Sequence, residues 1–173
     1  DTLAEARAHA YQLADEQKLT FVHPYDDEAI AAGQGTLAVE MLRAQPDLDA
    51  LIIAIGGGGL IAGIATAAKA IKPGIEVVGV QTQRFPSMVN ALRHTDMPMG
   101  TSTIAEGIAI GKPLRGSELL EMMKKHDITV VAAPEDKILA ARAKIARAGL
   151  YIEHTTAANF ALSCPDRKST RLN

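Results

Sequence analysis

The sequence predicts an α/β fold, a parallel sheet with helices on both faces. Three observations point there. Short runs rich in branched apolar side chains alternate with longer helical patterns, the order that builds a parallel sheet through crossover connections. Four consecutive glycines, Gly56 to Gly59, separate one such run, Leu51-Ile52-Ile53-Ala54-Ile55, from an alanine-rich helical pattern, Leu60 to Ile71. Hydrophobic residues make up 47% and charged residues 22% of the 173-residue chain, the balance of an ordinary globular protein with a real core.

The elements follow in order. Thr2 to Lys18 places Leu3, Ala6, Ala10, Leu13 and Ala14 on one stripe and reads as an amphipathic helix, with Thr2 as its cap. Leu19 to Val22 reads as a short strand closed by His23-Pro24. Asp26 and Asp27 can cap a helix from Glu28 to Arg43. Gly33-Gln34-Gly35 lies inside it, and each glycine costs about 1 kcal/mol relative to alanine in a helix. Two of them predict either a close backbone approach or a break. After the Leu51 strand, the glycine loop and the Leu60 helix, which ends before Lys72-Pro73-Gly74, Glu76 to Gln81 reads as a strand. Ser87 to Arg93 reads as a helix, and His94 to Gly116, punctuated by Pro98, Gly100, Gly107, Gly111 and Pro113, as irregular. Ser117 is expected to cap a helix to Lys125; Ile128 to Val131 is a strand. Pro134 begins a helix through Arg147, with Gly149 just past its end.

The glycine loop carries the chemistry. Glycines let successive backbone N–H groups turn toward one point with no Cβ in the way. The following helix adds its own unpaired N–H groups and the positive end of its dipole. Strand, glycine loop and helix in that order make an anion cradle suited to a phosphate; without a ligand the same residues are a flexible turn. Gly57-Gly58-Gly59-Leu60-Ile61-Ala62 satisfies a loose dinucleotide pattern, but the next strand ends at Gln81 and no acidic residue follows it before Asp96. No Gly-Lys-Ser/Thr closes the loop either. A small phosphate ester fits better than a dinucleotide or ATP.

Composition excludes other classes. A net charge of −2 with no basic run argues against a nucleic-acid partner. The single cysteine, Cys164, excludes an internal disulfide framework, has no basic neighbour before Arg167 and fits a cytoplasmic location. Leu51 to Ala68 is uncharged, but the tetraglycine at its centre would leave backbone groups unpaired in lipid, so no membrane span is expected. His23, His94, His126 and His154 are dispersed, without zinc-ligand spacing. Lys69 and Lys72 read as solvent-facing helix residues. The first residue, Asp1, is not Met, and Asp166 to Asn173 resembles a translated sequencing adapter. The chain is therefore expected to be part of a longer protein.

His23-Pro24-Tyr25-Asp26, Ala32-Gly33-Gln34-Gly35-Thr36, Gly56 to Leu60 with Ala62-Gly63, and Ser102 to Ala109 together resemble the threonine dehydratases (threonine ammonia-lyases). These are fold-type II pyridoxal-phosphate enzymes related to serine racemase. The resemblance runs collinearly from Asp1 to Leu162. It implies that residues 1–25 end the small domain and that 26–165 are an incomplete large domain anchoring the cofactor; the adapter-like 166–173 are expected to be a non-native tail. It implies that Gly56, Gly57, Gly58, Gly59 and Leu60 hold the phosphate of pyridoxal 5'-phosphate. Gly107 would lie beside the pyridine ring, and Glu153 on the active-site side of the large domain. Glu153 would orient the ring or the substrate amine, or else cap a helix N-terminus. Some relatives bind a divalent cation through acids where this chain has Gln81, Phe85 and Ser87, so no metal is expected. The family's Schiff-base lysine sits in a Ser-x-Lys-x-Arg-Gly motif that the sequence lacks, as it lacks the Ser-Gly-Asn-His substrate loop. A further serine that contacts the pyridine nitrogen would lie beyond Asn173. No catalytic residue is therefore expected within the chain, and the chain alone is expected to be inactive. The family's small-residue run after the glutamate is replaced by His154 to Phe160.

The resemblance implies a homo-oligomeric cytoplasmic parent that takes a small amino-acid substrate and serves amino-acid metabolism, isoleucine biosynthesis included. It would convert threonine to 2-oxobutanoate and ammonia, and serine to pyruvate. Serine racemisation, hydroxyaspartate elimination and a non-catalytic phosphate-ligand binding module remain as alternatives.

Overall fold

Three parallel strands, β1 (Ala50–Ala54), β2 (Glu76–Thr82) and β3 (Thr129–Ala133), lie side by side in sequence order. The structure, a computed structural model, describes residues 3–23 and 26–162. Ala50 to Ala54 pair with Glu76 to Val80, and Val78 to Thr82 with Thr129 to Ala133. The helices are α1 (Leu3–Gln17), α2 (Glu28–Ala44), α3 (Gly59–Ile71), α4 (Ser87–Arg93), α5 (Gly116–Lys125), α6 (Glu135–Arg147) and α7 (His154–Phe160), with a 3-10 turn at Glu106–Ile108.

Strand alternation divides the core in two. Leu51, Ile53, Ile55, Val77 and Val130 face a layer built by α2, α3, α4 and α5. Ala54, Val80 and Ala133 face Ala105, Ile108, Ile138, Ala157 and Ala158, from the 3-10 turn, α6 and α7. The sheet is thus covered on both faces except at the edge strand β1, where Ile52 is 43% exposed. The connection from β2 to β3 contributes to both layers: α4 and α5 pack on one, and the 3-10 turn on the other.

α2 runs without a break through Gly33 and Gly35, and the reason is a close approach to α3. A methyl group on Gly63 would stand 1.9 Å from the Ala31 carbonyl oxygen, and one on Gly35 would stand 3.1 Å from that of Gly63. The two backbones touch there, a distance only glycine permits. Asp27 caps α2, its Oδ1 accepting from Ala29 N (2.7 Å) and Ile30 N (3.3 Å). Gly149, at φ +90°, ends the turn after α6.

Two expectations fail. Residues 19–22 form no strand: Leu19 and Val22 are exposed, and Phe21 instead stacks on Tyr11 at 4.3 Å. A strand is completed by its neighbour's hydrogen bonds, and no strand lies beside this segment among the described residues. Ser117 does not cap α5, which already begins at Gly116 and has no side-chain cap. Thr2, Pro24, Tyr25 and the expected tail at 166–173 lie outside the described residues.

Candidate functional site

The glycine loop leaves β1 at the carboxyl end of the sheet. Ile55 extends the ladder by one bond, its N–H donating to Val80 O (2.7 Å); Gly56 to Gly58 then turn away, and α3 begins at Gly59. Gly58 sits at φ +102°, a conformation that L side chains rarely adopt, and a methyl group there would meet Leu119 Cδ2 at 2.6 Å. The first intrahelical bond of α3 is Ala62 N to Gly58 O (3.0 Å). The N–H groups of Gly56 to Ile61 consequently have no acceptor among the described residues. Six consecutive donors without acceptors, on glycine-rich backbone at a thirteen-residue helix N-terminus, are the arrangement that holds an oxyanion.

Gly107 comes to the same place. A methyl group on Gly56 would stand 3.2 Å from Gly107 O and from Ile108 Cα, so the two loops meet backbone to backbone. Gly107 is exposed, whereas Ala105 and Ile108 on either side are buried. Behind it stands α7: a methyl group on Gly107 would lie 2.9 Å from Thr155 Oγ1. That oxygen is buried and has no hydrogen-bond partner among the described residues. An orphaned hydroxyl beside two touching glycine backbones leaves polar capacity for a ligand that sequence reasoning did not find.

Glu153 flanks α7 on this side of the sheet, two residues from Thr155. Its carboxylate is exposed and turns to its own helix, accepting from Thr156 N at 2.9 Å. Arg142 fixes the approach to α7, donating from Nε to Ile152 O (2.9 Å) and stacking over the Tyr151 ring at 4.8 Å.

The glycine loop also borders a cavity of about 240 Å³ lined by Gly57, Gly58, Gly59, Ala62 and Leu119. Arg115 spans its rim. Arg115 Nε meets Asp26 Oδ1 at 2.6 Å, and Nη1 lies 3.7 Å from Glu118 and 4.0 Å from Glu28. One guanidinium among three carboxylates leaves this rim acidic, so an anion is favoured on the other side of the loop, toward Gly107.

The remaining residues singled out in the sequence are elsewhere. Lys72 Nζ donates to Leu48 O (2.7 Å) and Pro46 O (3.3 Å), and Lys69 is ten residues along α3 from Gly59, about 15 Å at helical rise. Gln81, fully buried, caps α4: its Oε1 accepts from Met88 N (2.7 Å) and Val89 N (3.2 Å), and its Nε2 donates to Ser87 Oγ (3.2 Å). Among the described residues no three His, Cys, Asp or Glu side chains gather as metal ligands, and no helix is long and apolar enough to cross a membrane.

Comparison with known proteins identifies the fold and the family. The chain is 40% identical over 153 residues to an L-threonine ammonia-lyase of Geobacter sulfurreducens, covering 86% of this chain and 37% of that enzyme. It superposes on threonine deaminase isoform 2 of Solanum lycopersicum with a TM-score of 0.76 at 32% identity, covering 93% of this chain and 45% of that one. It superposes on serine racemase of Dictyostelium discoideum with a TM-score of 0.76 at 28% identity, covering 92% and 51%. The chain spans about a third of the length of the curated relatives it matches. These folds are fold-type II pyridoxal-phosphate enzymes. The family described as "Pyridoxal-phosphate dependent enzyme" matches residues 1–173, the whole sequence, and the chain belongs to it.

Proposed function

We propose that this chain is the cofactor-anchoring part of a lyase that deaminates L-threonine, and L-serine, by expelling the β-hydroxyl as water and taking one water back as ammonia leaves. The products are 2-oxobutanoate and pyruvate, formed by the chain together with the further length its relatives possess. One observation carries the reading. The acceptor-free N–H groups of Gly56 to Ile61 begin where the Gly56 backbone meets that of Gly107, at the carboxyl end of a parallel sheet where such sheets take their ligands, and this supports reading them as one site.

The residues fit pyridoxal 5'-phosphate. Gly56 to Leu60 would hold its phosphate through backbone amides, at the positive end of α3. Gly107, with no side chain, would admit the flat face of the ring, and the Thr155 hydroxyl stands behind it. Glu153, already bound to Thr156 N, would act on the site through the position of α7. Bound pyridoxal phosphate supplies an electron sink for negative charge developing at the substrate Cα. The chain itself contributes binding, orientation and one wall that excludes water. The covalent lysine and the groups for the substrate carboxylate are assigned to the rest of the enzyme, because their motifs do not occur in this sequence.

The likeness to a serine racemase supports a second reading, inversion at Cα without elimination. The threonine ammonia-lyase relative, at higher identity, favours elimination. The test is ketoacid release by the full-length protein from L-threonine, L-serine and hydroxyaspartate, with D-serine measured in parallel. Ketoacid from threonine as the fastest reaction is expected. D-serine formation without ketoacid would transfer the assignment to a racemase. Neither product, with no visible absorbance on adding pyridoxal phosphate, would leave a phosphate-binding module.

A further inference from the structure

The loop that carries Gly107 is held at two places: Arg84 Nε donates to Ser102 O (3.1 Å), and Glu135 binds the residues next to the 3-10 turn. Glu135, the first residue of α6, lies thirty-two residues beyond Thr103 and thirty-one beyond Ile104, yet its two carboxylate oxygens bind both. Thr103 Oγ1 donates to Glu135 Oε1 at 2.6 Å, and Ile104 N donates to Oε2 at 2.9 Å. Thr103 Oγ1 also accepts from Ala105 N at 3.2 Å. The hydroxyl proton is thus committed to the carboxylate and a lone pair to the next amide, a directed relay from Glu135 into the loop. Ala105, fully buried, carries the relay on: its carbonyl accepts from Ile108 N (3.0 Å), which closes the 3-10 turn around Gly107. The far side of that turn is the backbone that touches Gly56.

A chain of charge-assisted and backbone hydrogen bonds thereby runs from the start of α6 to the point where the two glycine loops meet. Such bonds are short and directional, and they set position more tightly than apolar contact does. The neighbouring Asp136 provides an internal contrast. It offers the α6 dipole the same charge, but it is exposed and has no hydrogen bond among the described residues.

We propose that Glu135 is a positioning residue for the cofactor. Through Thr103 it sets the separation of Gly107 from the glycine turn, and with it the fit of the pyridoxal ring. The inference rests on the proposed site but assigns a role to residues that neither the glycine pattern nor the Glu153 position accounts for.

The test uses the full-length protein and its Glu135→Ala, Glu135→Gln, Thr103→Val and Asp136→Asn variants. Pyridoxal phosphate affinity, the visible circular dichroism of the bound cofactor, and amide exchange at Ile108 and Ala109 are measured without substrate. Glu135→Ala and Thr103→Val are expected to weaken cofactor binding about tenfold or more, the effect of losing a hydrogen bond to a charged group. They should also diminish the visible dichroism and speed exchange at both amides. Glu135→Gln keeps an acceptor for one of the two donors and falls between; Asp136→Asn matches the parent. A merely structural Glu135 would lower the thermal midpoint and leave affinity and dichroism unchanged, which overturns the proposal. Thr103→Val preserves side-chain shape and decides the matter if Glu135→Ala does not fold. A parent protein that binds no pyridoxal phosphate would instead overturn the proposed function, and this inference with it.

Discussion

Replacing Gly63 by alanine tests the most demanding contact in the fold. In an open helix the change is favourable by about 1 kcal/mol, because alanine has the higher helix propensity. Here the new methyl would lie 1.9 Å from the Ala31 carbonyl oxygen and 2.8 Å from Gly35 N, both backbone atoms of α2. No rotamer relieves a Cβ clash with backbone. Restoring an ordinary contact of 3.4 Å requires α2 and α3 to separate by about 1.5 Å at the crossing. That movement loosens Ala38, Leu42, Ile64, Ala65 and Ala68, all buried in the adjoining core. Overpacking of this kind costs about 1–3 kcal/mol, occasionally more, and backbone against backbone belongs at the upper end. The net expectation for Gly63→Ala is a loss of about 2 kcal/mol, or roughly 4–8 °C in Tm for a domain of this size. Gly33→Ala in the same crossing pair is the control: nothing lies within 4 Å of its new methyl, so it should gain about 0.5–1 kcal/mol. Gly35→Ala, at 3.1 Å from Gly63 O, should fall between them. Urea denaturation followed by far-ultraviolet circular dichroism gives all three values. Gly63→Ala within 0.5 kcal/mol of the parent, or Gly33→Ala as damaging as Gly63→Ala, would refute the backbone-contact account of these glycines.

Gly58→Ala forces a methyl-bearing residue to φ +102° and against Leu119, so pyridoxal phosphate affinity, read by absorbance titration, should fall about 5- to 150-fold for a strain of about 1–3 kcal/mol. Gln81→Leu strands the N–H groups of Met88 and Val89 in the core and should cost about 2–4 kcal/mol in denaturant unfolding, while Gln81→Glu keeps the acceptors and costs less. Because the Gln81 amide is already engaged, millimolar magnesium or calcium should not raise the thermal midpoint, and a clear rise would reopen this region as a cation site. Glu153→Ala removes the α7 cap and should destabilise the fold by about 1 kcal/mol; a loss of cofactor affinity without that destabilisation would indicate a direct role at the ring. The 173-residue chain alone, given pyridoxal phosphate and threonine, should release no ketoacid above background, and turnover would show that it carries its own catalytic base.

The sequence by itself determined the strand–helix alternation, the three parallel strands to within two residues, the glycine turn between β1 and α3, and the family. These are local or collinear properties. A branched apolar run, a glycine cluster or a motif spacing is written within a few residues and survives without knowledge of what packs where. Asp27 as a cap and Gly149 as a terminator were legible for the same reason. Tertiary structure decided everything that depends on residues meeting from distant parts of the chain. Gly33 and Gly35 are alike in sequence, yet only Gly35 faces the backbone of α3. The run at 19–22 has strand composition and no strand, because pairing is supplied by a neighbour rather than by propensity. Glu153 carries family significance in the sequence, but its carboxylate is spent on the cap of α7. Glu135 looks like any acid in a helix's first turn, and only the return of residues 103–104 to its carboxylate, across some thirty residues, gives it a part in the site. Hydrogen bonds and backbone contacts act over about 3 Å, and that proximity is set by the packing of the whole sheet and its two layers.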